Sequence, residues 1–151
     1  MDAQSTYQLA DDAPDGFSLI ERGGPFFQSL GPVYIRTPDP LQRILGVRID
    51  TRHTNMQGNA HGGMLMTMAD GALNMNLMMH YSQIGGLVTV SMNTSFLSPA
   101  RVGDWMEACV DVTRIGRSLC FADCHLLVGQ RRVLRASAVF AVRQAGALAA
   151  A

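Results

Sequence analysis

A single carboxylate in the middle of the longest apolar run limits what this chain can fold into. Met64 to Tyr81 is rich in Met, Leu and Ala, and is broken by Thr67, Asp70, Asn74 and Asn76. The run follows Gly62-Gly63 and precedes Gly85-Gly86, so it reads as one helix from Gly62 to about Tyr81, ended by the second glycine pair. An Asp at mid-bilayer costs a few kcal/mol, about what rules the run out as a membrane span. A helix apolar on most sides must instead be buried in protein.

The rest of the chain has period two. Val33–Arg36 reads as a strand, Thr37-Pro-Asp-Pro40 as a turn, and Gln42–Asp50 as the returning strand of a hairpin. Four further segments alternate: Leu87–Leu97, Asp104–Ile115, Ser118–Val128 and Arg132–Arg143. In the first, Val88, Val90, Met92 and Phe96 are expected on one face, with Thr89, Ser91, Asn93 and Ser95 on the other. Short turns containing Gly join the last three segments, which implies antiparallel neighbours. A curved antiparallel sheet of about six strands around one central helix buries every apolar face, an α+β architecture. Any helix in the Gly-rich stretch 16–31 is short, around Phe26–Leu30. Residues 1–15 read as a loose tail, 16–145 as one domain and 146–151 as a second tail.

Composition narrows the function. Twelve basic and twelve acidic residues cancel, which gives no general attraction to nucleic acid or anionic membrane. Every basic residue is arginine, so no lysine Schiff base or P-loop lysine is available. Cys109, Cys120 and Cys124 form no CxxC pair and are expected as small buried thiols. His53, His80 and His125 lack metal-ligand spacing, so no metal and no cofactor is expected. Met1–Pro14 has neither the basic start nor the apolar run of a signal peptide, and the expected location is the cytoplasm.

The chemistry gathers on the helix. Thr67, Asp70 and Asn74, three and four residues apart, form a narrow polar stripe that Gly63 continues toward the helix start. A carboxylate held in apolar surroundings costs several kcal/mol unless it is bonded or neutralised, so function explains it better than folding does. His61-Gly62-Gly63 brings glycine backbone and orphan helix amides to the N-terminus. Such amides suit an oxygen that becomes negative in a transition state.

The run Asn55-Met-Gln-Gly-Asn-Ala-His61-Gly-Gly-Met-Leu-Met-Thr-Met-Ala-Asp70 resembles the signature of the phenylacetate-pathway (PaaI-like) hotdog-fold acyl-CoA thioesterases. Val88-Thr-Val-Ser-Met-Asn-Thr-Ser-Phe-Leu-Ser-Pro-Ala100 and Arg114-Ile-Gly-Arg-Ser118 are similar to later segments of that family, and the resemblance spans roughly residues 30–143. It implies the hotdog fold, hydrolysis of an acyl-CoA, and a homodimer or dimer of dimers with active sites at the subunit interface. It implies Asp70 as general base or nucleophile, the Gly62 N–H as oxyanion donor, and Asn55 as a positioner of substrate or water. His61 would serve in local hydrogen bonding and Thr89 in orienting the attacking water. Arg114, Gly116, Arg117 and Ser118 would contact the nucleotide of coenzyme A, with a solvated hairpin tip as the alternative. The competing functions are a hotdog hydratase or dehydratase, which needs an acid–histidine pair, and a non-catalytic acyl-CoA-binding protein.

Overall fold

The computed structural model describes residues 13–146, so most of both expected tails lies outside it. Among these residues, seven strands form one antiparallel sheet: β1 (Ser18–Leu19), β2 (Tyr34–Asp39), β3 (Gln42–Arg48), β4 (Ile84–Phe96), β5 (Trp105–Ile115), β6 (Leu119–Val128) and β7 (Arg131–Gln144). Their order is β1-β2-β3-β5-β6-β7-β4. Two α-helices accompany them, α1 (Gly24–Gln28) and α2 (Gly62–Met78). The seventh strand beyond the six expected is the two-residue β1, too short to leave a periodic signal.

The long helix packs one side onto the sheet. Met64, Leu65, Met68, Ala69, Ala72, Leu73, Asn76 and Leu77 are buried at three- and four-residue spacing. They meet a sheet face built from alternate residues of β5, β6 and β7, including Met106, Ala108, Cys120, Ala122, Cys124, Leu126, Ala136 and Phe140. The other side of α2, with Met66, Thr67, Asp70, Gly71, Asn74, Met75 and Met78, is only half-buried. The sheet wraps one flank of the helix and leaves this one to line a cleft.

Three boundaries differ from the sequence reading. Strand β2 continues through Thr37 and Pro38, and the turn is Pro40-Leu41, closed by Leu41 N–H donating to Asp39 Oδ1 at 2.8 Å. Pro38 is tolerated because it falls at a ladder irregularity between Arg36 and Asp39, where no strand bond from it is needed. The long helix stops at Met78, where bonds from Met79 N–H to Asn76 O and from His80 N–H to Leu77 O tighten its last turn. Gly85 and Gly86 therefore lie inside β4 instead of ending the helix.

The third difference reorients a strand. In β4 the pairing with β7 runs Thr89↔Phe140 and then Ser91↔Val139, which leaves Val90 as the extra residue of a bulge. Paired residues share a face, so Leu87 and Thr89 before the bulge join Met92, Thr94 and Phe96 after it on the helix side. Strict alternation would have put Thr89 on the opposite face. Val88 and Val90 are instead 41% and 59% exposed, on a strand that forms the free edge of the sheet.

Candidate functional site

Asp70 sits halfway along α2 on its open side and lines a cleft of about 720 Å³ together with Thr67, Gly71, Asn74 and Met75. Because of the β4 bulge, Thr89 Oγ1 donates to Asp70 Oδ1 at 2.7 Å. Thr89 is the carboxylate's one hydrogen-bond donor among the described residues, and Oδ2 is left to the cleft. Thr67 does not compete: its hydroxyl donates back to the Gly63 carbonyl at 2.9 Å. The structure thus joins Asp70 and Thr89, which are far apart in sequence, and aims their shared carboxylate at a space large enough for a substrate group.

A second cluster forms at the helix N-terminus. His61 is the N-cap, and its Nδ1 accepts from Gly63 N–H at 2.9 Å. Its backbone N–H donates to His53 O at 2.7 Å. The Gly62 N–H receives no partner among the described residues, as expected of a first-turn amide. A Cβ on Gly62 would come within 3.2 Å of the Phe96 ring. Asn55 shapes the loop that delivers this cluster: its Oδ1 accepts from Gln57 N–H at 2.9 Å and Asn59 N–H at 3.3 Å. Asn55 and His61 line a second, shallower depression, separate from the Asp70 cleft.

A hydrogen-bonded corner holds that loop. His53 is buried; its Nδ1 accepts from Asp50 N–H at 3.0 Å and its Nε2 lies 2.7 Å from Leu30 O. Partial burial tends to raise the Asp50 carboxyl. The Arg52 side-chain and backbone bonds, together with the Arg52 charge, outweigh it and hold the group below its ordinary value.

The two clusters are not within reach of each other in one chain. Gly62 and Asp70 are eight residues apart on the same helix, about 12 Å along its axis. A carbonyl bonded to one amide and attacked from one carboxylate needs both within roughly 3 Å of the reacting group.

Arg114, Gly116, Arg117 and Ser118 lie together at the β5–β6 tip, beyond the C-terminal end of α2. Tyr81 OH, just past that helix, donates to Gly116 O at 2.7 Å and fixes the tip. Burial, with help from Cys120, pushes the Tyr81 hydroxyl up to about 12. Position 116 requires glycine, since a Cβ there would stand 2.4 Å from the Leu119 carbonyl oxygen. Arg114 and Arg117 are exposed and form no ion pair among the described residues. Arg131, by contrast, is bound to Ser98, Pro99 and Asp104 and braces the Ser98-Pro-Ala100 turn.

The sequence reading missed the N-terminal arm. Phe27, from α1, seats its ring on Gly71, where a Cβ would fall 2.3 Å from the ring. Ile20, Arg22 and Phe26 of the same arm line the Asp70 cleft. A clue was present: a glycine inside a helix costs about 1 kcal/mol against alanine, and its place beside Asp70 signals close packing. No group of three or more His, Cys, Asp or Glu among the described residues is placed to hold a metal ion. No helix among them is long and apolar enough to cross a membrane. The three cysteines are free, with Cys120 and Cys124 buried and Cys109 half-buried.

Comparison with known proteins shows the family and the fold. Residues 57–134 match the family model of the Thioesterase superfamily, a span that includes His61, Gly62, Asp70, Thr89 and the β5–β6 tip. A Pseudomonas aeruginosa protein whose name places it among esterases is 37% identical over 129 residues, covering 85% of this chain and 96% of that protein. Acyl-coenzyme A thioesterase 13 of Mus musculus is 31% identical, over 67% of this chain and 71% of its own length. The phenylacetic acid degradation protein PaaI from Thermus thermophilus superposes with a TM-score of 0.70 at 21% identity, covering 80% of this chain and 99% of that one. That last likeness shows the shared hotdog fold.

Proposed function

Because the chain belongs to the Thioesterase superfamily and is a thioester hydrolase, we propose that its substrate is an acyl-coenzyme A and that Asp70 is the catalytic carboxylate. The single observation that carries this reading is the Asp70 carboxylate itself, half-buried at mid-helix, oriented by Thr89 and open to a cleft. Its position next to a bound carbonyl suits removal of a proton from attacking water. Direct attack on the carbonyl carbon would use the same oxygen, expel the thiol and leave a mixed anhydride on Asp70, which water then hydrolyses to the free acid and the regenerated carboxylate.

The Gly62 N–H is the proposed donor to the thioester oxygen, and it comes from a second copy of the chain. The 12 Å estimated along one helix prevents a single copy from supplying both groups. A two-fold pairing across the free β4 edge would bring the helix start of one protomer to Asp70 of the other. In this reading Asn55 and His61 belong to the same donated corner. The exposed Arg114 and Arg117, with Gly116 and Ser118, receive the phosphates of coenzyme A, for which the planar guanidinium is suited.

The test is steady-state thiol release from a panel of acyl-CoAs. Asp70→Asn keeps size and polarity but cannot take the proton or attack, and turnover should fall by at least roughly 100-fold with the melting temperature held. Native turnover in that variant would remove Asp70 from the mechanism.

A further inference from the structure

We propose that Phe26, on the N-terminal arm, is the residue that selects the acyl group, by closing a largely apolar chamber over the thioester beside Asp70. The inference rests on the preceding reading of Asp70 and deepens it.

Phe26 is 73% exposed, although its neighbour Phe27 is buried. Successive residues of a helical turn point about 100° apart, so the anchored Phe27 leaves Phe26 directed elsewhere. The anchor is tight. Phe27 fills the space that glycine leaves at Gly71, one residue from Asp70, and a Cβ at Gly23 would also collide with its ring, at 2.6 Å. Gly23 has a φ of 104°, a conformation that lets the chain turn sharply into α1. The arm is thus fixed against the catalytic helix at one ring while the next ring stands over the Asp70 cleft.

The wall facing Phe26 is apolar and adaptable. Ile20, Met75, Met78 and Met79 line the same cleft as Phe26 and Asp70. Methionine side chains fit irregular groups and pack well against aromatic edges. The cleft's volume, about 720 Å³, is on the scale of a whole small ligand and exceeds what an acetyl group would fill. Arg43 also reaches this rim, but its Nη1 donates to the carbonyls of Asp39, Pro40 and Gln42 and so belongs to the β2–β3 turn. The class of substrate that fits is a thioester with a sizeable apolar acyl group, aliphatic or aryl, and Arg22 of the same arm adds a cation to the lining.

The experiment compares the wild type with Phe26→Ala and Phe26→Trp on acetyl-, hexanoyl-, decanoyl- and phenylacetyl-CoA, with melting curves to confirm folding. The wild type should favour the larger acyl groups over acetyl. Phe26→Ala should reduce that preference by about tenfold, mainly through KM, as expected when a hydrophobic pocket loses one wall. Phe26→Trp should move the preferred length downward. An unchanged ratio between acyl groups in both variants would overturn the inference and leave the Asp70 reading intact. An equal loss on every substrate, acetyl included, would place Phe26 against the coenzyme and overturn it too. Failure of the wild type to release thiol from any of the four would overturn the acyl-CoA reading itself, and this inference with it.

Discussion

Thr89 holds one oxygen of Asp70 through a 2.7 Å bond, and that bond decides where the other oxygen points. A hydrogen bond to a charged group contributes about 1.5–3 kcal/mol. If that contribution is made mainly in orienting the carboxylate for reaction, its loss appears in kcat. Thr89→Val keeps the shape and removes the donor, and kcat should fall roughly 10- to 100-fold with KM little changed. Thr89→Ser should retain most turnover, because the hydroxyl remains. Equal kcat in the valine variant would show that the carboxylate is oriented without Thr89.

At the scale of elements, one buried amide ties α2 to the sheet. Asn76 is 1% exposed. Its Oδ1 accepts from Arg43 N–H at 2.9 Å, and its Nδ2 donates to Arg43 O at 2.9 Å and to Ala72 O at 2.8 Å. Arg43 lies just before Leu45, where the pairing of β3 with β5 begins, so the amide satisfies backbone that the ladder does not. Asn76→Ala leaves that N–H and C=O unpaired in the interior. The expected cost is about 2–3 kcal/mol, measured as a lower denaturation midpoint in urea. The same change should disturb turnover less than stability, since Asn76 faces away from the cleft. The β4 bulge acts at this scale as well: one extra residue, Val90, changes which face of the strand Thr89 occupies.

At the scale of the molecule, β4 is the unresolved liability of a single copy. It is a 13-residue edge strand with Val88 and Val90 exposed, and such edges invite pairing with another chain. The proposed sharing of one site between Gly62 and Asp70 would use the same partner. Val90→Asp puts a charge on that edge without touching the core. It should shift the protein from dimer to monomer by size-exclusion with light scattering, and activity should fall with it at unchanged secondary structure by circular dichroism. A fully active monomer would contradict the shared site.

Much of this was legible in the sequence because it is written locally. The alternation of Met106, Ala108 and Val110, or of Cys120, Ala122 and Cys124, is set by the pleat of each strand, and those residues form the more buried face of β5 and β6. Asp70 was readable because a carboxylate among Met, Leu and Ala is costly wherever the helix packs. His61 as a helix cap follows from its place before two glycines, although its ring bond to Gly63 does not. The role of Asn76 was hidden, since an amide in an apolar helix gives no sign of which backbone it will meet.

The sequence by itself determined the long helix, the period-two strands and the one charge placed among apolar residues, because each depends on neighbours a few positions away. The tertiary structure alone decided that Thr89 faces Asp70 and that Phe27 seats on Gly71, with Phe26 at the rim of the cleft. Each of these depends on register and packing between segments distant in sequence, where a single bulge or a missing Cβ moves a side chain to another surface.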